Sequence, residues 1–356
     1  MLIATLPPQA RHGREIAEHP SVDEVRLNTG VDTGRSPDEM LDSAMFTSGE
    51  TPLLIDLKAR QLRITKWVDP GWEHVTLNHN IAVDTPCSII FRDEVATIVD
   101  VVDGNKLVLD EAPKYALGAG QSINIQDPSL IIEGFLTERD REFVAAAKKR
   151  GLHRYLLSFV EEEDDIKELL ALDPKAEIIC KIESPKGLDF VRHVYPKYAG
   201  KIRLMAARDD LYTNIGGNKL DMLEAEKLII KSDPSAIVAS RILTSTEKSP
   251  RNEVSLSDLK DLQTLWDLGY RNYMFSDGLC LNRDAFRSAV SMFEEFLRYR
   301  QSEPIRLAPD DEIPLAPLKA PLPLTPVVEE RAPFLLSRLL RRGAKQPETR
   351  TPFGGS

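Results

Sequence analysis

The sequence predicts an α/β protein: a TIM-type (β/α)8 barrel with a small all-β domain inserted after strand 3 and a proline-rich C-terminal tail. Three observations carry this. Eight short apolar runs recur along the chain, helical patterns separate most of them, and one stretch from about Ile64 to Ile125 breaks the rhythm with β-type runs and no convincing helix. Short continuous apolar runs fit strands buried on both faces, as in a parallel sheet. A doubly wound open sheet is the competing architecture; the count of eight favours the barrel.

In chain order the runs are Leu2–Leu6, Glu24–Asn28, Leu53–Leu57, Tyr155–Val160, Glu177–Glu183, Ile202–Ala207, Ala236–Ser240 and Tyr273–Ser276. The clearest helical patterns cover Glu138–Arg150, Glu162–Leu172, Lys219–Lys231, Ser257–Asp267 and Asp284–Arg298. Thr137 is placed to cap the first of these, with Glu138 and Asp140 putting negative charge in its opening turn. In the interrupting stretch, Ala96–Val102 and Lys106–Leu109 flank Asp103-Gly104-Asn105, a hairpin signal. The expected domains are a barrel over 1–63 and 126–301, an inserted β-barrel-like lid over 64–125, and a tail over 302–356. An insertion at the C-terminal end of a barrel strand overhangs the face where such barrels place their chemistry.

The tail holds ten of the 24 prolines. That composition reads as extended and disordered, partly polyproline II. Within it, Phe334–Arg342 has the pattern of a short basic amphipathic helix, which suggests docking to a partner.

Composition excludes several classes. A net charge of −10 argues against a nucleic-acid binder working by bulk charge, and no apolar run approaches the ~20 residues of a membrane span. The N-terminus lacks the basic region and long apolar core of a signal peptide. Cys87, Cys180 and Cys280 are too few and scattered for a disulfide framework or zinc cluster, so a reducing cytoplasm is expected. No phosphate-binding Gly-rich loop, Gly-x-Ser-x-Gly elbow or His-x-x-x-His pair is present. His12 and His19 fall in a polar stretch read as an exposed helix and receive no role.

The chemistry-bearing residues cluster at predicted strand ends. Lys181-Ile182-Glu183 closes one strand and Arg208-Asp209-Asp210 the next. Ends of neighbouring barrel strands meet around one pocket, and residues two apart share a strand face. Glu183 with Asp209 or Asp210 therefore suits one divalent cation held through few carboxylates, the style of magnesium. Lys181 beside them offers a positive charge to a phosphoryl group or an enolate oxygen. An ordinary ion pair capping two strands is the plain alternative. Arg26 at the end of the second run, and Lys58 and Arg63 after the third, add cations suited to phosphate, although each taken singly reads as a solvated surface charge.

These residues, in this order, resemble the pyruvate kinase family from about Leu2 to about Phe296. The resemblance is carried by Ala4-Thr5, Val25-Arg26-Leu27-Asn28, Asp56-Leu57-Lys58 with Arg63, Leu136–Asp140, Ser158-Phe159-Val160, Lys181-Ile182-Glu183, Met205–Leu211, and Ala239–Leu243 with Pro250–Val254. It implies transfer of a phosphoryl group from phosphoenolpyruvate to ADP, giving pyruvate and ATP, in a cytoplasmic homo-oligomer of glycolysis. By that resemblance Arg26 would hold the substrate phosphate and Lys181 would neutralise the phosphoryl group in flight and the enolate oxygen. Glu183 and Asp210 would bind Mg2+ or Mn2+. Lys58 and Arg63 would lie on the nucleotide side, with Arg63 meeting its phosphates. Asn28 and Asp56 would be partial ligands of a monovalent cation, and Ser240 would supply the hydroxyl near the substrate carboxylate used in enolpyruvate protonation.

The sequence departs from the family pattern in places. Asp209 replaces a glycine whose backbone N–H binds the substrate carboxylate. Gly30 and Leu57 stand where potassium-binding hydroxyls are expected, which speaks against a complete potassium site. Lys58-Ala59-Arg60-Gln61 loses a carboxylate near the nucleotide. The family's C-terminal regulatory domain has no counterpart, the tail standing in its place. Two other readings follow from these departures: a metal-dependent lyase or aldolase acting on phosphoenolpyruvate or a 2-oxo acid, and a non-catalytic scaffold.

Overall fold

The computed structural model describes residues 1–68, 71, 74–91, 94–115 and 117–302; the tail predicted over 302–356, and with it the Phe334–Arg342 pattern, lies outside them apart from Ser302. Eight parallel strands close into a barrel: β1 (Leu2–Thr5), β2 (Glu24–Asn28), β3 (Leu53–Leu57), β4 (Arg154–Leu157), β5 (Glu177–Ile182), β6 (Arg203–Ala207), β7 (Ile237–Ala239) and β8 (Asn272–Met274). Each strand pairs with its neighbour in sequence, and Leu2 opposite Tyr273 closes the ring between β1 and β8.

The two-residue period of a strand sorts these side chains into two layers. Leu2, Ala4, Val25, Leu27, Ile55, Leu157, Cys180 and Val238 belong to the core shared with the surrounding helices. Ile3, Leu54, Leu156, Ile179, Met205, Ile237 and Met274 form a separate cluster inside the barrel. Each fully buried aliphatic side chain contributes about 1.5–3 kcal/mol, and this plug makes the barrel a packed core rather than a pore. Two residues further along, the inward positions turn polar at Thr5, Asp56, Ser158 and Lys181, and Arg26 of β2 joins that layer; all five are buried. The alternation thus builds an apolar floor with a charged layer above it.

Between β3 and the Glu138–Lys149 helix the chain forms an antiparallel five-stranded sheet, ordered His74–Thr76, Lys106–Leu109, Glu94–Val102, Cys87–Phe91, Asn124–Ile125. Ile81–Ala82 pairs separately with Ile131–Ile132. The hairpin from Val102 to Lys106 turns at Asp103 and Gly104, with φ of 53° and 78°. That left-handed backbone is what an Asp-Gly pair supplies at least cost. The sheet has its own core of Val75, Ile89, Phe91, Ile98, Leu107 and Ile125.

One carboxylate ties the outgoing segment back to the barrel. Asp140 sits at the third position of its helix, accepts from the Thr137 amide and hydroxyl, and completes a capping box. Its two oxygens also accept the amides of Lys58 (2.8 Å) and Ala59 (3.0 Å), at the start of the polar loop after β3. Ala59 holds a left-handed φ of 43°, so without these bonds the loop would relax. Asp140→Ala is therefore expected to destabilise the fold by about 3 kcal/mol, the cost of several charge-assisted bonds lost from a buried site. Urea unfolding checks it, and an unchanged midpoint would rule out this anchoring role.

Several local expectations need correction. Arg26 lies mid-strand, not at the end of β2. Asp209 and Asp210 do not close a strand: pairing stops at Ala207, and Arg208–Asn214 is a helix with both aspartates in its first turn. His12 and His19 flank the one-turn helix Gly13–Ala17 rather than lying in an exposed one, and both are half-buried. That turn is pulled inward by Ile16 and Ala17, and His12 Nε2 lies 2.8 Å from the Cys280 carbonyl oxygen. The helices Pro37–Ser48 and Pro185–His193 were missed, although Ser36-Pro37-Asp38-Glu39 and Ser184-Pro185 are start signals.

Candidate active site

The charged layer opens at the C-terminal ends of the strands into a cavity of about 920 Å³. Arg26, Asn28, Lys58, Arg63, Lys181, Glu183, Asp209, Asp210 and Ser240, drawn from five different strand ends and named above, all line it; Asp56 lies just beneath. The folding reason is the two-residue period: Asp56 and Lys58, like Lys181 and Glu183, sit two apart and so face the axis together.

Asp56 is the hub. It is fully buried and accepts from Arg26 Nε (2.8 Å) and Lys58 Nζ (2.7 Å), with Lys181 Nζ 3.6 Å away. Burial opposes its charge, yet the three surrounding cations outweigh burial and hold its carboxyl far below the usual range. Burial pushes the Lys58 ammonium down to about 7 despite Asp56. The Lys181 ammonium, which burial would lower, is kept above its ordinary value by Asp56 and Glu183. Lys181 donates to the Ser158 hydroxyl at 2.8 Å and lies 2.9 Å from Glu183 Oε1.

Glu183 is poised differently. Burial pushes its carboxyl up to about 7 against the pull of Lys181, and Asp210 adds to the pressure. Its Oε2 accepts the Phe159 amide at 2.7 Å, while Oε1 is buried and makes no hydrogen bond of good geometry. The Asn214 amide group bonds the backbone carbonyls of both Glu183 and Asp210, setting the two residues side by side. Among the described residues no group of three or more His, Cys, Asp or Glu side chains gathers around one point. A pair of carboxylates open to a wide cavity, with Lys181 as the cationic neighbour of one of them, nonetheless fits a hard divalent cation that completes its shell with water and substrate oxygens. The ion pair considered above as the plain alternative does exist, between Lys181 and Glu183. It is made to Glu183 Oε1, at 2.9 Å.

Other residues are placed less simply. Asp209 sits at the rim of the cavity, its carboxylate 2.5 Å from Arg241 Nε. Arg63 donates to Gln61 Oε1, Gly30 O and Gly120 O, pinning the inserted sheet to the loop after β2. A Cβ at Gly30 would sit 2.5 Å from the Arg63 guanidinium carbon, so a larger residue there would have to shift that side chain and its bonds. Ser240, Arg241 and Leu243 all hold positive φ (67°, 57° and 55°), a strained loop of the sort found where geometry serves chemistry.

One residue was missed. Asp277, in the first turn after β8, pairs with Arg26 Nη1 at 2.7 Å and accepts from the Asn28 amide. Arg26, the expected phosphate ligand, is therefore already held by Asp56, Asp277 and the Thr5 hydroxyl. An acidic residue one position past the last predicted strand was the available signal.

No family model matches the chain. Curated relatives do. A pyruvate kinase of Borreliella burgdorferi is 23% identical over 277 residues, covering 67% of this chain and 55% of that protein. One from Thermoplasma acidophilum is 26% identical over 263 residues, covering 66% and 46%. The chain is a divergent relative of the pyruvate kinases. It spans about half the length of the curated pyruvate kinases it matches. Among solved structures, a pyruvate kinase of Cryptosporidium parvum superposes with a TM-score of 0.64 at 17% identity, over 84% of this chain and 70% of the other, which is a likeness of fold. Among the described residues, no helix is long and apolar enough to cross a membrane.

Proposed function

We propose that this pyruvate kinase relative is a magnesium-dependent phosphotransferase that moves a phosphoryl group from phosphoenolpyruvate to ADP, yielding pyruvate and ATP. The observation that carries the reading is the convergence of Lys181, Glu183, Asp210 and Arg26 on one cavity, with Lys181 buried and charged. Glu183 and Asp210 would hold Mg2+ or Mn2+. That ion, when bound, supplies positive charge to the phosphoryl oxygens.

The protein's own part is positioning and electrostatics. Arg26 on the β2 wall and Lys181 on the β5 wall bracket the region where a phosphoryl group would sit. Lys181 stays protonated there because Asp56 and Glu183 hold its charge, so it can stabilise the group in flight and then the enolate oxygen. Ser240, just past the end of β7 and lining the same cavity, carries the hydroxyl suited to enolate protonation. Arg63 and Lys58 line the mouth beneath the inserted sheet, on the side assigned to the nucleotide. A coupled assay for pyruvate and ATP, run with Mg2+ in the presence and absence of K+, tests the reaction directly.

The metal pair has its own test. Glu183→Gln keeps the shape and the acceptor for the Phe159 amide but removes the charge. It is expected to weaken Mn2+ binding, followed by electron paramagnetic resonance, at least tenfold. Unchanged affinity would remove Glu183 from the metal site.

A second reading keeps the metal and the enolate but not the phosphoryl group. The observation favouring it is Asp277, which leaves Arg26 matched by two carboxylates. A lyase or aldolase acting on a 2-oxo acid would then give no ATP in the assay but would turn over in a screen of such acids.

A further inference from the structure

A second cavity of about 470 Å³ lies outside the charged mouth, between the return segment of the inserted sheet and the loops after β4 and β5. Its body is apolar, formed largely by Ile125, Leu130, Ile131, Ile132, Phe159 and Pro185. Ile131 is 60% exposed, an unusual placement for an aliphatic side chain with neighbours of its own kind. A concave apolar chamber with a few convergent polar groups is the usual form of a small-molecule site.

The polar groups of this chamber are out of balance. Arg60 is matched by Asp165 through two parallel bonds of 2.9 and 2.7 Å. Glu161 lies beside that pair with its side chain only 11% exposed; its nearest cationic atom, Arg60 Nη1, is 3.6 Å away. The bond Glu161 does make is from the neutral Ser184 hydroxyl, at 2.5 Å. At the rim, the Lys186 ammonium is turned to the Leu130 carbonyl oxygen, and Glu162 and Asp127 add two further carboxylates. Burial pushes the Glu161 carboxyl above its usual value, against the opposing pull of Ser184, Arg60 and Lys186.

We propose that this cavity binds a small amphipathic cation, an organic ammonium with an apolar body, whose charge pairs with Glu161 while its body fills the Ile131–Phe159 chamber. The charge count favours a cation over an anion, and the apolar walls favour an organic ion over a metal. The chamber shares parts with the metal carboxylates: Phe159 lines it and gives its amide to Glu183, and Asn214 lines it and bonds the carbonyls of Glu183 and Asp210. The proposal concerns binding and stands apart from the reaction run in the main cavity.

The test is calorimetric titration of the full chain, with saturating Mg2+, by three probes sharing one apolar body: 4-phenylbutylammonium, 4-phenylbutanol and 4-phenylbutanoate. The ammonium is expected to bind saturably with 1:1 stoichiometry and at least tenfold more tightly than the alcohol, and the carboxylate not at all. Glu161→Gln should weaken the ammonium at least tenfold and leave the alcohol within about twofold. Ile131→Ala, at an exposed position that the fold does not need, should weaken both several-fold. Equal binding of the three probes, or an ammonium affinity unmoved by both substitutions, overturns the proposal.

Discussion

Lys181→Met is expected to reduce turnover of phosphoenolpyruvate and ADP by at least ~10²–10³-fold, the usual cost of losing one preorganised charge at a developing negative centre. The drop should fall on kcat rather than on the half-saturating substrate concentration, because the ammonium acts most strongly where charge builds in the transition state. Methionine approximates the lysine stem, so the apolar floor beneath should stay packed. Asp56 keeps Arg26 and Lys58 as partners, which limits the penalty of removing one cation from a buried network. Circular dichroism and Mn2+ titration on the same variant separate loss of chemistry from loss of fold or metal. Wild-type turnover in the variant would remove Lys181 from the reaction and, with it, the proposed mechanism.

The second large effect is expected at Asp277. Its carboxylate occupies Arg26 Nη1, the group a substrate phosphate would need, and also accepts from the Asn28 amide; its own side chain is 40% exposed. A phosphate must therefore displace it, giving up a charge-assisted bond that contributes about 1.5–3 kcal/mol. Asp277→Ala should lower the half-saturating concentration of phosphoenolpyruvate about tenfold with kcat within about threefold, since the reacting groups on β5 and β6 are untouched. Steady-state kinetics at fixed Mg2+ and ADP measure it. A rise in that concentration would instead identify Asp277 as the residue that aims Arg26. Finding no phosphoenolpyruvate turnover in either protein, with turnover of a 2-oxo acid, would favour the lyase reading.

Much of the frame was legible because it depends on local pattern. Apolar runs such as Leu53–Leu57 and Glu177–Glu183 announce strands buried on both faces, and the two-residue spacing of Lys181 and Glu183 announces a shared inner face. Thr137 with Asp140, and Asp103 with Gly104, carry capping and turn chemistry in a few adjacent residues, and the structure uses both in that way. The run Ile202–Ala207 ends where the strand does, but Arg208-Asp209-Asp210, expected to close that strand, suits a strand end and a helix start equally well and forms the helix. Pairing to β7 at Ala239 decides where the strand stops.

The residues that set the state of the site were hidden for a different reason. Nothing near Arg26 in sequence points to Asp277, 251 positions away. Nothing near Lys58 points to Asp140, and nothing near Glu183 predicts that the Phe159 amide will meet one of its oxygens while the Lys181 ammonium faces the other. Taken by itself, the sequence determined the eight-stranded α/β frame, the β insertion and the candidate lysine, arginine and carboxylates, because propensity, strand period and turn chemistry act over a few residues. Only the tertiary structure decided which charges share a buried layer, that Arg26 is already paired, and that Asp209 pairs with Arg241 at the rim. Those outcomes depend on side chains from distant strands meeting where water is excluded and Coulomb interactions are strong.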